Sequence, residues 1–210
     1  MEYLHWDQKD IKQSDDITSL YNNGYVFTRI QKDTIQQTRS VRINLNNFNL
    51  TSENRRILRK GENIDMKIET IPYSNYSWQI GKIAKDFYDK KAGGAFSANK
   101  IKEIITTEHN FNVLLDFNNS GYAICYKNSD FIHYCYPFYD IEKSPRDMGI
   151  IMMTKTIEYA KNIGLKYVYL GSLQRPSDVY KLQFEGIEWF DGKEWKQDLK
   201  QIKDLLNNLQ

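Results

Sequence analysis

The stretch Met148–Phe190, MGIIMMTKTIEYAKNIGLKYVYLGSLQRPSDVYKLQFEGIEWF, restricts the possible folds more than any other part of the chain. It reads as helix, strand, short loop, short helix and strand. Ile150, Ile151, Thr154 and Ile157 recur at helical spacing and give one apolar face. Gly164 stands where a helix C-cap belongs, because glycine enters the left-handed region without a Cβ clash. Tyr167-Val168-Tyr169-Leu170 is then a strand, rich in aromatic and branched residues, that ends at Gly171. A glycine there allows a ligand close to the backbone, and the carboxyl ends of strands are where α/β folds bind ligands. Tyr180 and Lys181 follow, a phenol and a point charge near that opening.

Upstream, three runs predict strands in hairpin order. Phe111–Phe117 leads through Asn118-Asn119-Ser120-Gly121 into a strand to Tyr126, and a turn at Lys127–Asp130 leads into Phe131–Tyr139. An antiparallel meander followed by helix, strand, helix and strand is an α+β arrangement. Before it, Asp15 or Asp16 caps a short helix to Asn22-Asn23-Gly24, and Tyr25–Ile30 and Val41–Asn46 read as strands. The polar segment Gln31–Ser40 between them reads as a loop, and residues 1–13 show no period. A strand over Ile64–Ile71 precedes a helix from Asn75 or Ser77 to Lys91, closed by Gly93-Gly94. Ser97 opens another helix with an Ile101, Ile104, Ile105 stripe, and Asp191-Gly192 turns the chain before Trp195. A polar helix from about Gln197 to Leu209 follows. These elements group as an N-terminal portion, 1–72, and a second domain, 73–210.

Thr51 or Ser52 caps a helix that carries Arg55, Arg56, Arg59 and Lys60 and stops at Gly61. Its four cations lie on adjacent rows with no acid at a compensating spacing. One reading is a solvated face; the other is a clamp for phosphate or carboxylate, since paired arginines offer forked donors to either.

The bulk properties exclude little else. A net charge of +2 does not by itself demand a nucleic-acid partner. No apolar run reaches the roughly 18 residues of a membrane span, and MEYLHWDQKD lacks a signal-peptide pattern, so a cytoplasmic location is expected. The two cysteines, Cys125 and Cys135, fall on neighbouring strands, where the hairpin would set Cys125 near Ile132 and His133 and leave both thiols unpaired. The three histidines have no metal-ligand spacing with them, and no metal is expected.

The order of meander, helix, strand, helix and strand is that of the acetyl-CoA-dependent N-acetyltransferase (GNAT) fold, here with a mixed sheet and a small N-terminal α/β portion. In that fold a glycine-rich loop at the central helix wraps a pyrophosphate. Arg146-Asp147-Met148-Gly149-Ile150-Ile151 keeps Arg-x-x-Gly but ends in a branched residue and adds an acid, which disfavours coenzyme A.

The motifs resemble those of the aminoacyl-tRNA–protein transferases, both the arginyl-transferases and the bacterial leucyl-transferases. Phe138-Tyr139-Asp140, Met148-Gly149, Tyr167-Val168-Tyr169-Leu170-Gly171, Val179-Tyr180-Lys181-Leu182-Gln183-Phe184 and Trp189-Phe190-Asp191-Gly192 with Trp195 are similar to that family's C-terminal motifs. Arg42-Ile43, Phe48, Thr51-Ser52 and Asn54-Arg55-Arg56 resemble its Arg-Ile and Ser-x-x-Gln-Arg-Arg segments, so the likeness runs from about residue 24 to 195. The family's cysteines before the Arg-Ile strand are missing from Thr28–Thr38, and its Pro-Ser-x-x-Gln-Arg-Arg motif is degraded.

The resemblance implies transfer of an arginyl or leucyl group from aminoacyl-tRNA to the α-amine of a protein beginning with Asp or Glu, with no cofactor. It implies Asp140 as the group that orients or deprotonates the amine, Tyr180 as oxyanion donor and Lys181 as partner of the terminal phosphate. Arg55 and Arg56 would grip tRNA phosphate or the acceptor's acidic side chain, Tyr167 and Tyr169 would stack on the terminal adenosine, and Arg59, Tyr139 and Gly171 would join them in binding substrate or tRNA. Capping for Asp140, core packing for the tyrosines and solvent exposure for Lys181 are the plainer readings. A coenzyme A-dependent acetyltransferase and a non-catalytic tRNA- or degron-binding module are the alternatives.

Overall fold

The structure, a computed structural model, describes residues 4–29, 31–92, 94 and 96–208. In chain order the elements are β1 (Asp7–Asp10), α1 (Ile17–Asn22), β2 (Tyr25–Phe27), β3 (Thr34–Gln37), β4 (Ser40–Asn44), α2 (Ser52–Lys60), β5 (Met66–Thr70), α3 (Trp78–Ala92) and α4 (Ala98–Thr106). They continue with β6 (Val113–Phe117), β7 (Gly121–Lys127), β8 (Phe131–Tyr139), α5 (Met148–Asn162), β9 (Tyr167–Ser172), a 3₁₀ helix (Pro176–Gln183), β10 (Ile187–Phe190), β11 (Trp195–Lys196) and α6 (Leu199–Asn207). The class is α+β, as the element order implied. Ile30, Gly93 and Leu209, which carried parts of three expected elements, lie outside the described residues.

The chain divides into two compact units. The first joins residues 1–51 to 165–210, and the second is the continuous segment 52–164. The expected boundary at residue 72 falls inside the second unit, between β5 and α3.

The first unit holds two antiparallel sheets, β1-β3-β2 and β11-β10-β4-β9. Strand β4 is buried along most of its length, with Val41 and Ile43 fully enclosed, because it pairs with β9 on one side and β10 on the other. Strand β3 corrects the loop reading of Gln31–Ser40. Its polar side chains find partners across the sheet: Gln36 Nε2 donates to Gln8 Oε1 at 2.7 Å, and Thr34 Oγ1 donates to Asp10 Oδ1 at 3.3 Å. Polarity marked it as a loop, yet amides and hydroxyls satisfied across a ladder stabilise a strand equally well. Strand β1, which showed no period, is exposed throughout and holds its place by that pairing.

The second unit has the antiparallel order β8-β7-β6-β5. Strands β6 and β7 are buried nearly end to end, which is why they read as continuous apolar-aromatic runs rather than alternating ones. Helices α3 and α5 pack on β8, and α2 packs on α5, where a Cβ on Gly61 would fall 2.4 Å from the Ile151 methyl. The end of α5 is as expected, with Gly164 at φ +79°. The meander register differs from expectation in one respect. Cys125 stands opposite Tyr134 rather than Ile132 or His133, because the turn starts the ladder at Lys127–Ile132; a one-residue irregularity then follows between Cys125 and Ile124, which faces Tyr136. Both cysteines are free thiols, and burial pushes each thiol up, out of the nucleophilic range.

Candidate functional site

In the first unit the strand end singled out by sequence is built on a bulge. Arg42 faces Tyr169 across the β4–β9 ladder and Ser40 faces Ser172, so β9 spends one residue more than β4 over the same distance. Gly171 lies in that extra step at φ +80°, the left-handed conformation such a bulge requires. The glycine is therefore explained by the backbone alone, without a ligand approaching it.

Tyr167 and Tyr169 share one face, as their alternation implied, but the face is already occupied. The Arg42 guanidinium lies 4.0 Å from the Tyr167 ring centroid and 3.9 Å from that of Trp195. Its Nε donates to Glu188 Oε2 at 2.8 Å, and Nη1 donates to Asn22 Oδ1 and the Tyr169 hydroxyl, both at 3.2 Å. Arg42 and Glu188 are each 7% exposed, and the ring of Tyr169 is fully enclosed, edge-on to Tyr21 at 4.9 Å. Burial pushes the Tyr169 phenol up to about 12. A ring with no open face cannot stack on a base, so Tyr169 holds an arginine rather than an adenosine; Tyr167 keeps partial exposure.

Lys181 is not the exposed lysine that composition suggests, since its side chain is only 12% exposed. Its Nζ donates to the Ser172 carbonyl at 2.8 Å and lies 3.6 Å from Asp178 Oδ1. Asp178 Oδ2 in turn accepts from the backbone N–H of Gln174 and Arg175 at 2.8 and 3.0 Å. One carboxylate thus closes the loop after β9 and fixes the lysine at the strand end. Tyr180 projects outward beside it at 47% exposure.

In the second unit Asp140 follows β8. Its Oδ1 accepts from the N–H groups of Glu142 and Lys143 at 3.0 and 3.1 Å, and its Oδ2 lies 3.8 Å from the Lys143 amine. It therefore caps the turn before α5 rather than α5 itself, whose N-cap is Asp147. Tyr139 packs against Phe87 at 4.8 Å and against the first turn of α5, where a Cβ on Gly149 would lie 3.5 Å from its ring. Burial raises its phenol.

The helix α2 is less cationic than expected. Arg56 Nε donates to Glu53 Oε2 at 2.6 Å, and Lys60 pairs with Asp147. The first partner stands at i,i+3 and the second arrives from another element, so the cations counted as uncompensated are partly neutralised. Arg55 and Arg59 remain on the exposed face. The second unit also carries an open groove of about 650 Å³ lined by Tyr73, Tyr76, Trp78 and Lys102, with Trp78 69% exposed. None of the residues chosen from sequence enters it.

The structure thus gathers Tyr167, Tyr169, Gly171, Tyr180 and Lys181 around β9 in one unit, and Tyr139 and Asp140 at the end of β8 in the other. Sequence reasoning missed the role of Arg42 and Glu188. A readable signal was present: each is a lone charge between apolar residues, Val41-Arg42-Ile43 and Ile187-Glu188-Trp189, and the two charges are opposite. It also missed Arg39, whose Nη1 is buried without an acceptor among the described residues. Among the described residues no group of three or more His, Cys, Asp or Glu is placed to hold a metal ion, and no helix is long and apolar enough to cross a membrane.

Comparison with known proteins gives a consistent set of relatives. The family model described as arginine-tRNA-protein transferase, C terminus, matches residues 73–191. An aspartate/glutamate leucyltransferase of Chromohalobacter salexigens is 25% identical over 177 residues, covering 78% of this chain and 70% of that protein. One of Acinetobacter baylyi is 23% identical over 175 residues, covering 77% of this chain and 62% of that protein. Among solved structures, L-PGS from Bacillus licheniformis has a TM-score of 0.50 at 12% identity, over 92% of this chain and 69% of that one, a likeness of fold alone.

Proposed function

We propose, from the premise that this chain belongs to the family defined by the C-terminal region of arginine-tRNA-protein transferases, that it moves an aminoacyl group from a charged tRNA to the N-terminal α-amine of a protein. The names of its relatives favour leucine as the group donated and Asp or Glu as the residue accepted. The observation that carries this reading is the extent of the family match. It spans both the β8 end with Asp140 and the β9 end with its seated Lys181. The meander, α5, β9, the 3₁₀ helix and β10 would then be an acetyltransferase-like frame.

The chemistry asks little of the protein. The amine nitrogen attacks the ester carbonyl carbon, and the tetrahedral intermediate collapses by breaking the bond to the ribose oxygen. That oxygen leaves with the proton the amine gives up, so the products are an amide and uncharged tRNA. Free α-amines titrate near 8, so a neutral fraction exists at physiological pH and positioning outweighs base strength. In this scheme Asp140 orients the incoming amine, using the carboxylate oxygen its turn leaves free of backbone donors. The exposed Tyr180 hydroxyl donates to the developing oxyanion. Lys181, Arg55 and Arg59 meet tRNA phosphates, and Tyr139 and Tyr167 border the terminal adenosine. Coenzyme A suits the site less well. The Asp147 carboxylate stands at the start of α5, where a pyrophosphate needs unopposed amide donors.

Incubating the protein with labelled leucyl-tRNA or arginyl-tRNA and peptides of varied first residue tests the reading. Label should appear on peptides beginning with Asp or Glu. Folded protein that transfers neither amino acid to any peptide would rule the activity out.

A further inference from the structure

We propose that Arg39 is the specificity-determining residue that reads the acidic side chain of the acceptor's first residue, an inference that rests on the aminoacyl-transfer reading above. The ladder of β4 and β9 gathers three cations, and their electrostatic circumstances differ. Arg42 is matched by Glu188 and Lys181 by Asp178. Arg39 is matched by nothing: its guanidinium has neither an ion pair nor an acceptor among the described residues, and its Nη1 is shielded from solvent. Buried polar groups in folded proteins are nearly always satisfied, and an unpaired buried charge is costlier still. A half-buried guanidinium left without an acceptor is what a site looks like when its counter-ion arrives with the substrate. Burial also weakens its hold on its proton, as expected where no anion offsets the charge.

Its place in the fold suits that role. Arg39 directly precedes β4, and its carbonyl accepts the N–H of Leu173 at 2.8 Å, one residue beyond the end of β9. It therefore lies alongside the bulged strand end Gly171–Ser172 on which Lys181 is seated. A guanidinium presents a planar fork that fits a carboxylate in two parallel hydrogen bonds, and it discriminates against the isosteric amide, which offers one oxygen and no charge. A single shielded guanidinium matches one carboxylate, whereas exposed cations such as Arg55 and Arg59 on α2 suit the solvent-facing phosphates of a tRNA. The acceptor's acid is accordingly assigned to Arg39 and not to the Arg55-Arg56 pair.

The test compares wild type, Arg39→Gln and Arg39→Lys on four peptides that differ only in beginning with Asp, Asn, Glu or Gln. Two readouts are taken: transfer kinetics, and peptide binding by fluorescence anisotropy, which needs no turnover. For wild type, Asp and Glu peptides should bind more tightly than their amides. In Arg39→Gln that preference should fall by roughly 10- to 100-fold, while KM for charged tRNA stays unchanged. Arg39→Lys should keep part of the preference. Because the variant removes an unmatched charge, its melting temperature should not fall below that of wild type, which separates lost recognition from lost folding. An acid-over-amide preference that persists in Arg39→Gln overturns the proposal. So does a raised KM for tRNA with peptide preference intact, which would give Arg39 to a phosphate. Absence of transfer in wild type together with an Arg39-dependent binding preference would overturn the activity and leave the recognition standing.

Discussion

The Arg42–Glu188 pair offers the clearest quantitative test of how the first unit is held together. Both residues are 7% exposed, so neither can recover hydration if its partner is removed. Glu188 accepts from Arg42 Nε at 2.8 Å and, through Oε1, from Asn44 at 3.3 Å and Gln197 at 3.4 Å. Replacing Glu188 by Gln keeps an acceptor but removes the charge, and hydrogen bonds to charged groups are worth about 1.5–3 kcal/mol. Replacing it by Ala also strands a buried guanidinium, for which losses of about 3–5 kcal/mol are typical. The aromatic rings at 4.0 and 3.9 Å remain in either variant and soften the loss, since a desolvated cation–π contact contributes about 2 kcal/mol. Urea denaturation should therefore rank Glu188→Ala below Glu188→Gln below wild type. A chain of this length shifts by about 2–4 °C per kcal/mol, so the Ala variant should melt roughly 6–20 °C lower. The decisive measurement is the double variant Arg42→Met with Glu188→Leu. Desolvation of the two ions opposes their attraction, so removing both should restore most of what Glu188→Ala loses. If the double variant is no more stable than Glu188→Ala, or if Glu188→Ala costs under about 1 kcal/mol, the cage is not a coupled buried pair and this account of it is refuted.

Other outcomes follow from the same geometry. Asp116 is buried, and burial raises its carboxyl above the usual range, so the folded state binds that proton more tightly than the unfolded chain. Stability contributed by this group is therefore lost as pH rises from the ordinary carboxylate value through the raised one. Asp116→Asn should be at least as stable as wild type at pH 7, with the difference closing below pH ~4, as pH-dependent melting can show. Lys181→Met should lower the rate of aminoacyl transfer and also destabilise the loop after β9, because Asp178 loses its counter-ion; Lys181→Arg should restore the fold better than the rate. Reversing Arg55 and Arg59 to Glu should weaken tRNA binding at low salt and flatten its logarithmic salt dependence by about 1 for each phosphate no longer neutralised. A salt slope identical to wild type would remove α2 from the tRNA interface.

What was legible in the sequence was local. The Ser97 and Asp16 caps, the Asn-rich hairpin turns and the glycine after α5 each act within a few residues, and each stands where it was expected. What was not legible depends on distance. Arg42 and Glu188 are 146 residues apart; each shows in the sequence as a lone charge between apolar residues, but only the fold sets which charge it meets. Strand β3 is polar because its side chains bond to β1 and to Asn23, and a reading by apolar periodicity cannot see such a strand. The neutralisation of α2 divides along the same line. Asp147 reaches Lys60 from another element, but Glu53 stands three residues before Arg56 and was readable at i,i+3 spacing. At the site, alternation correctly placed Tyr167 and Tyr169 on one face and could not show that an arginine already filled it.

The division of the chain also bears on how it is made. Strand β4 leaves the ribosome early, yet both of its ladder partners, β9 and β10, begin at Tyr167 or later. At synthesis rates of ~5–20 residues per second, β4 waits about 6 to 25 s with both hydrogen-bonding edges open. An apolar strand in that state invites pairing with a neighbouring nascent chain, and a charge within it discourages such pairing. Arg42 interrupts Val41 and Ile43 at the centre of that strand. The charge that must be matched by Glu188 in the finished fold thus guards β4 against premature partners while it waits.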